Sequence, residues 1–300
     1  MLTDAHCHLL DLSLVFPEAE KERQNILSPR GEQGAAAALS ACDAKEFAFN
    51  EELARLKLCA RNAADVTDAA DAAQAALVQC FAVHPQFFSV WNEDCGIRNV
   101  KSGMKNELNA VINEKLSLLE ELAANKRINA VGEFGFDLYN EAFRETESRQ
   151  DIIFKEHLET ALRHDLPVVL HVRRAMHKIF AQIKQLSKCK AVIFHSWPGT
   201  LEEAVSVLRR GVNAYFSFGN IIMLNHRQAE KSCALLPSER LLTETDAPFQ
   251  PRRAERFSSW KDLPLILGAA ANLRSKAGNN ITVNALEKQI ENNFKNAFSI

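Results

Sequence analysis

Six residues able to ligate a metal occur in a suggestive order along the chain: His6, His8, Glu133, His171, His195 and Asp246. Each ends a short apolar stretch, in the contexts LTDAHCH, INAVGEFGFD, PVVLHV, KAVIFHS and RLLTETDAP. Four imidazoles and two carboxylates brought together can hold one or two divalent cations. Such cations activate water for hydrolysis. This chemistry needs a fold that gathers the ends of several strands. A barrel of parallel strands does so, because residues at the carboxyl ends of its strands meet on one face.

The rest of the chain reads as the elements of such a barrel. Apolar runs predict strands at 2–8, 36–42, 77–84, 128–136, 167–172, 190–196, 213–219 and 240–246. Helical patterns fall between them near 47–62, 105–125, 147–164, 175–187, 200–210 and 226–236, and two more close the chain near 261–277 and 283–298. Ile153, Phe154, Leu158, Ala161 and Leu162 form the apolar stripe of a helix packed on a sheet. The expected architecture is α/β, a TIM-like (β/α)8 barrel with extra C-terminal helices, in one domain over 1–300. Region 12–75 is the least regular. It is broken by Pro17, Pro29, Gly31 and Gly34 and carries the Ala/Asp-rich run NAADVTDAADAAQAA, which reads as a loop followed by a surface helix.

Position within the strands assigns roles. His6 and His8 are two residues apart, so on a strand both face the mouth while Cys7 faces the helices. Glu133 lies between Gly132 and Gly135, which allow close approach, and its two oxygens can bridge two cations. A buried carboxylate there is costly unless paired or metal-bound. Asp246 can ligate a metal and also accept a proton from the attacking water, so Asp246 and Glu133 are the catalytic candidates. His84, Arg173 and Trp197 are candidates for binding substrate: His84 ends the third strand, Arg173 follows His171 by two residues, and Trp197 could stack a base. Arg174, Arg252, Arg253 and Arg256 also follow strands five and eight. His157, His164, His177 and His226 fall on helices and read as surface or packing residues.

Composition narrows the class. With 47% hydrophobic and 25% charged residues, the 300-residue chain has ample core and is expected to be water-soluble. No run reaches the roughly 18 apolar residues of a membrane span. The start, MLTDAHCH, lacks a basic segment followed by an apolar one, so no secretory leader is expected. Seven dispersed cysteines without CxxC spacing fit reduced thiols and a cytoplasmic location. A net charge of −2 argues against a broad nucleic-acid surface and confines phosphate recognition to a local patch. No obligate protein partner is evident.

Beyond the isolated ligands, longer stretches carry a resemblance. DAHCHLLD, AVHP at 82–85, VGEFGFD at 131–137, Gln150 with Phe154, PVVLHVRRA at 167–175, FHSWPGT at 194–200 and LLTETDAPF at 241–249 resemble the TatD family of metal-dependent deoxyribonucleases, within the amidohydrolase-like barrels. NNFKNAF near the end resembles the family's C-terminal helix. The resemblance implies one cation among His6, His8, Glu133 and Asp246, and a second held by Glu133, His171 and His195. It implies DNA as substrate. The chain departs from the family pattern in reading His-Ser-Trp-Pro-Gly at 195–199 for the usual HCFSG. It also has Arg173-Arg174 for Arg-Asp, and SSWKDLP where Asn-Glu-Pro is usual.

The expected activity is hydrolysis of DNA phosphodiester bonds with one or two divalent metal ions, Mg, Mn or Zn. Ligand softness favours the nitrogen-loving ions over Mg. Two rivals remain: the same site acting on a small-molecule ester, lactone or amide, and a non-catalytic metal-binding protein that keeps the barrel.

Overall fold

The computed structural model describes residues 1–15, 35–63, 77–89 and 102–300. Eight parallel strands form one sheet in chain order: β1 (Leu2–Cys7), β2 (Ala35–Ala41), β3 (Leu77–Phe81), β4 (Ala130–Asp137), β5 (Val168–Arg173), β6 (Val192–Phe194), β7 (Ala214–Phe218) and β8 (Leu241–Thr243). The helices among the described residues are α1 (Leu9–Val15), α2 (Ala44–Ala63), α3 (Ser102–Ala124), α4 (Glu141–Arg144), α5 (Glu147–Arg163), α6 (Met176–Ala181), α7 (Ile183–Leu186), α8 (Leu201–Arg209), α9 (Arg227–Leu235), α10 (Leu263–Lys276) and α11 (Val283–Phe298). Side-chain bonds bring β8 back to β1. The Thr243 hydroxyl donates to the Thr3 carbonyl at 2.9 Å, and the Asp4 carboxylate accepts from the Thr245 amide at 2.9 Å. This is the (β/α)8 barrel expected from the strand-end chemistry.

Strand alternation sorts the core into two layers. Val168, Leu170 and Val172 of β5 face outward and pack with Phe154, Leu158 and Ala161 of α5. Val169 faces inward with Ala5, Ala36, Ala38, Val78, Cys80 and Ile193. The residues that β1 and β2 place in that interior are small. Phe294, Ala297 and Phe298 of α11 join the inner layer. Asn293 of the same helix donates to the Ser238 and Leu241 carbonyls, both at 2.8 Å. The Met1 ammonium meets Glu291 at 2.8 Å. α11 therefore seals the amino ends of the strands, and the carboxyl ends carry the functional face.

Two strands break register where ligands stand. The β4–β5 pairing slips between Gly132 and Phe134, leaving Glu133 without a partner residue. The β1–β2 pairing slips between Asp4 and Cys7, around His6. An extra residue in a strand re-aims its side chain. Beside Glu133 the backbone of β4 runs close to β5. Gly135 has φ of 151°, and a Cβ there would collide with the His171 carbonyl. Gly135→Ala is expected to destabilise the fold by on the order of 3 kcal/mol, from overpacking plus backbone strain. Thermal unfolding checks this, and a wild-type midpoint would refute the close approach.

The boundaries differ from the sequence expectation in a few places. The helix expected at 175–187 divides at Gln182, whose N–H is shared between the Lys178 and Ile179 carbonyls in a tightened turn. The strands expected at 190–196 and 240–246 shorten to three residues each, because the chain turns at Ser196 and Asp246, with φ of 45° and 53°. Helices α1 and α4 were not anticipated. Most of the Ala/Asp-rich run lies outside the described residues. No described helix is long and apolar enough to cross a membrane.

Candidate metal centre

At the carboxyl end of the barrel five imidazole nitrogens surround one carboxylate. Glu133 Oε1 is approached by His171 Nδ1 at 2.6 Å, His195 Nε2 at 2.9 Å and His84 Nε2 at 3.4 Å. Oε2 is approached by His6 Nε2 at 3.0 Å and His8 Nε2 at 3.6 Å. The two oxygens thus face different histidines, as those of a bridging carboxylate would. A carboxylate has about four acceptor positions, fewer than the nitrogens gathered here. His6 Nε2 and His8 Nε2 also lie 3.1 Å apart, so two neutral rings would have to share one proton. Lone pairs converging without enough protons between them fit cations.

The far side of each ring supports the same reading. His6 Nδ1 is 3.1 Å from Ser40 Oγ, and His8 Nδ1 is 3.3 Å from Glu46 Oε1. His171 Nε2 is 3.1 Å from Asp137 Oδ2. His195 Nδ1 is 3.3 Å from Glu244 Oε1, although neither atom has a well-aligned hydrogen bond. Metal-binding histidines typically engage their second nitrogen this way, which fixes the ring and raises its basicity. In all four rings the nitrogen turned toward Glu133 is the one left for a metal.

Among the described residues four sets of donor atoms are compact enough for one cation each, all within 4.8 Å: His6, His8 and Asp246; His6, Glu133 and His195; His84, Glu133 and His171; and, beside them, His8, Asp11 and Glu46. All six expected ligands are brought together. The grouping differs in detail from the resemblance, because His6 sits between both clusters and His84 joins the second. His84, expected as a substrate contact, lines the cavity and also lies within reach of Glu133 and His171. Asp246 Oδ1 lies 3.8 Å from His6 Nε2, while Oδ2 accepts from Gln250 Nε2 at 2.6 Å. Gln250 Nε2 also donates to Ser196 Oγ at 2.7 Å, which steadies the carboxylate from outside.

Electrostatics follow from burial and crowding. Burial opposes ionisation of Glu133, but the imidazoles around it, His195 foremost, hold it well below the usual carboxylate range. Burial also pushes Asp137 up, yet its bond to His171 brings it down to about 2. Burial lowers His84, against the pull of Glu133. Burial opposes protonation of His8, His171 and His195, but the carboxylates around them raise all three, so a cation entering the centre would displace their protons.

The substrate candidates fare unequally. Arg173 reaches the mouth, with Nη1 3.5 Å from Asp137 Oδ2 and a side chain 42% exposed. Trp197 is a correction. It borders the cavity but is only 1% exposed, with its ring packed against Phe194 and Phe216, so it offers too little face for a base to stack. Arg252 is drawn to Asp262 at 2.7 Å, and neither it nor Arg253 lines the cavity. His157 is fully buried on α5, not at the surface. Its Nε2 accepts from the Val83 amide at 2.8 Å, which pins the chain beside His84, and burial lowers its pKa to about 4. Ser40, Glu46, Asp137, Glu244 and Gln250 were not foreseen as partners of the centre.

The centre opens into a cavity of 1330 Å³, with Arg173, Arg174 and Tyr139 on one part of its wall and Phe249 on another. The sequence model of the family described as TatD related DNase matches residues 3–299. A protein of Pantoea ananatis named 3′-5′ ssDNA/RNA exonuclease TatD is 28% identical over 226 residues, covering 73% of this chain and 76% of the relative. A protein of the same name in Cronobacter sakazakii is 30% identical over 203 residues, 65% of this chain and 68% of its own. An uncharacterised metal-dependent hydrolase of Bacillus subtilis is 30% identical over 149 residues, 48% and 56% of the two chains. Among solved structures, a TatD homologue of Escherichia coli K12 superposes with a TM-score of 0.73 at 22% identity, covering 100% of this chain and 98% of its own.

Proposed function

Because the chain belongs to the TatD-related DNase family, and so is a metal-dependent hydrolase, we propose that it removes nucleotides from single-stranded nucleic acid, DNA first. The observation that carries this reading is the convergence of five imidazole nitrogens on Glu133 beneath an open cleft. At 1330 Å³ that cleft exceeds the roughly 300–1,000 Å³ of ordinary small-molecule pockets, which favours a polymer. The names of the Pantoea and Cronobacter relatives support attack from a 3′ end, 3′-5′ in direction.

His6, His8, Glu133, His171, His195 and Asp246, with His84 beside them, would hold two cations. Bound there, the cations supply Lewis acidity to the phosphate oxygens and make a water nucleophilic at neutral pH. The nitrogen-rich donor set favours Mn or Zn over Mg. Asp246 takes the proton of the attacking water on Oδ1, while Gln250 holds Oδ2 at 2.6 Å. Asp137 keeps the His171 ring oriented from Nε2, and Glu133 keeps both clusters in register.

The test is the metal-reconstituted protein against end-labelled single-stranded DNA, beside a panel of esters and lactones. Stepwise shortening of the DNA supports the proposal. Ester or lactone hydrolysis with intact DNA would replace it by the small-molecule reading.

Arg173 supplies a narrower check. Its guanidinium fork suits a phosphate, and Lys at this position keeps charge but loses the fork. Arg173→Lys should lower kcat/KM on DNA about tenfold, since a bond to a charged group contributes about 1.5–3 kcal/mol. Carboxylic esters, which present no phosphate, should lose far less. Equal DNA cleavage by variant and wild type at sub-saturating substrate would remove Arg173 from phosphate binding.

A further inference from the structure

Two consecutive arginines reach the same wall of the cleft, which an ordinary strand would not allow. Neighbouring residues on a strand point to opposite faces. Yet the Arg173 and Arg174 guanidinium carbons lie 4.3 Å and 4.6 Å from the centre of one ring, that of Tyr139, and all three residues line the cavity of the metal centre. The backbone explains the convergence. β5 ends at Arg173, and Arg174 adopts a left-handed conformation with φ of 54°. That turn returns the second side chain to the mouth.

The two cations differ in how far they are already satisfied. Arg173 has the Asp137 carboxylate 3.5 Å away, and Asp137 is in turn engaged with His171. Arg174 is exposed, and among the described residues its hydrogen-bond partner is the Tyr139 carbonyl, 3.3 Å from Nη1, with no carboxylate beside it. A guanidinium held over an aromatic face, without a counter-charge, loses less side-chain freedom when it meets an anion. Tyr139 is 46% exposed, so the pair stands open to the cleft.

We propose that Arg174, seated on Tyr139, binds a second phosphate of the substrate, next to the one at the metal centre. This rests on the nucleic-acid reading above and sharpens it: the enzyme prefers a chain with at least two phosphates over a lone phosphodiester. Arg173 serves the scissile phosphate and Arg174 its neighbour.

The test compares a short single-stranded DNA with bis(p-nitrophenyl) phosphate, which has one phosphate, using the metal-loaded full chain. Arg174→Asn removes the charge and suits the left-handed backbone, which Asn tolerates better than most residues. Its ratio of kcat/KM on DNA to kcat/KM on the single diester should fall about tenfold, through KM. The dependence of log(1/KM) on log salt should become shallower by about 0.7, one phosphate contact on a single strand. Arg174→Lys should restore the salt slope.

An unchanged ratio and slope in Arg174→Asn, with wild type still degrading DNA, would overturn this subsite while the nuclease reading stands. An equal loss on both substrates, with a lowered unfolding temperature, would also overturn it by making the role structural. Inability of the wild type to act on DNA would instead remove the reading on which the subsite rests.

Discussion

Glu133→Ala is expected to keep the barrel folded and lose the metals. Among the six candidate ligands, Glu133 meets the most histidines, with different ones on each oxygen. His171, His195 and His84 face one of its oxygens, and His6 and His8 face the other. Removing it would take a ligand from both cations and a negative charge from between them. Loss of a mere outer partner typically costs 10–100-fold in metal affinity. Loss of a shared ligand should therefore weaken binding by more than about 100-fold and reduce hydrolysis to background. The fold should persist because the barrel interior is built from Ala5, Ala36, Val78, Val169 and their neighbours, with Glu133 outside that layer. Elemental analysis after dialysis, with circular dichroism as the control, gives the answer. A variant that retains the full complement of metal would remove Glu133 from the bridging role.

How much of this centre was legible in the residues depends on which physical rule applied. The convergence of the six candidate ligands could be read because each ends an apolar run, and strand ends of a parallel barrel share one face. The bulge that carries Glu133 could not be read, since the flanking Gly132 and Gly135 permit a close approach without dictating a slip in register. Spacing failed where strands end early. Counting two residues on from His195 pointed Trp197 at the mouth, but β6 stops at Phe194 and Ser196 turns at φ of 45°. Alternation no longer holds there, and the indole enters the core edge-on against the stacked rings of Phe194 and Phe216. The same rule, broken at Arg174, concealed a second cation at the cleft.

The outer partners were hidden for a different reason. Glu46 lies on α2 and Ser40 on β2, and each meets its histidine only once β2 has paired with β1. Nothing in their immediate sequence separates them from solvated residues. Glu244 stands two residues before Asp246, where period-two reasoning would have aimed it at the mouth. Instead it is fully buried, 3.3 Å behind the His195 ring. Chemistry at strand ends is thus partly encoded by local pattern, and its support is encoded by topology.

Asp246→Asn is expected to lower turnover by at least about 10²-fold while the protein stays folded and can be loaded with metal. General acid–base groups typically contribute 10²–10⁴-fold, and an amide cannot take a proton from water near neutral pH. The side-chain shape survives the change, so the contact with Gln250 decides how the amide turns. Gln250 Nε2 donates to Oδ2 at 2.6 Å, and an amide NH2 placed there would set donor against donor. The Asn carbonyl therefore turns toward Gln250, and its NH2 replaces Oδ1, which lies 3.8 Å from His6 Nε2. An NH2 group can neither ligate a cation nor accept the proton, so both roles of Oδ1 disappear together. Excess metal separates them. If turnover recovers fully once the site is saturated, Asp246 is a ligand only and the proton acceptor lies elsewhere. If the deficit persists at full occupancy, Asp246 moves the proton. Turnover near wild type without added metal would sink both assignments.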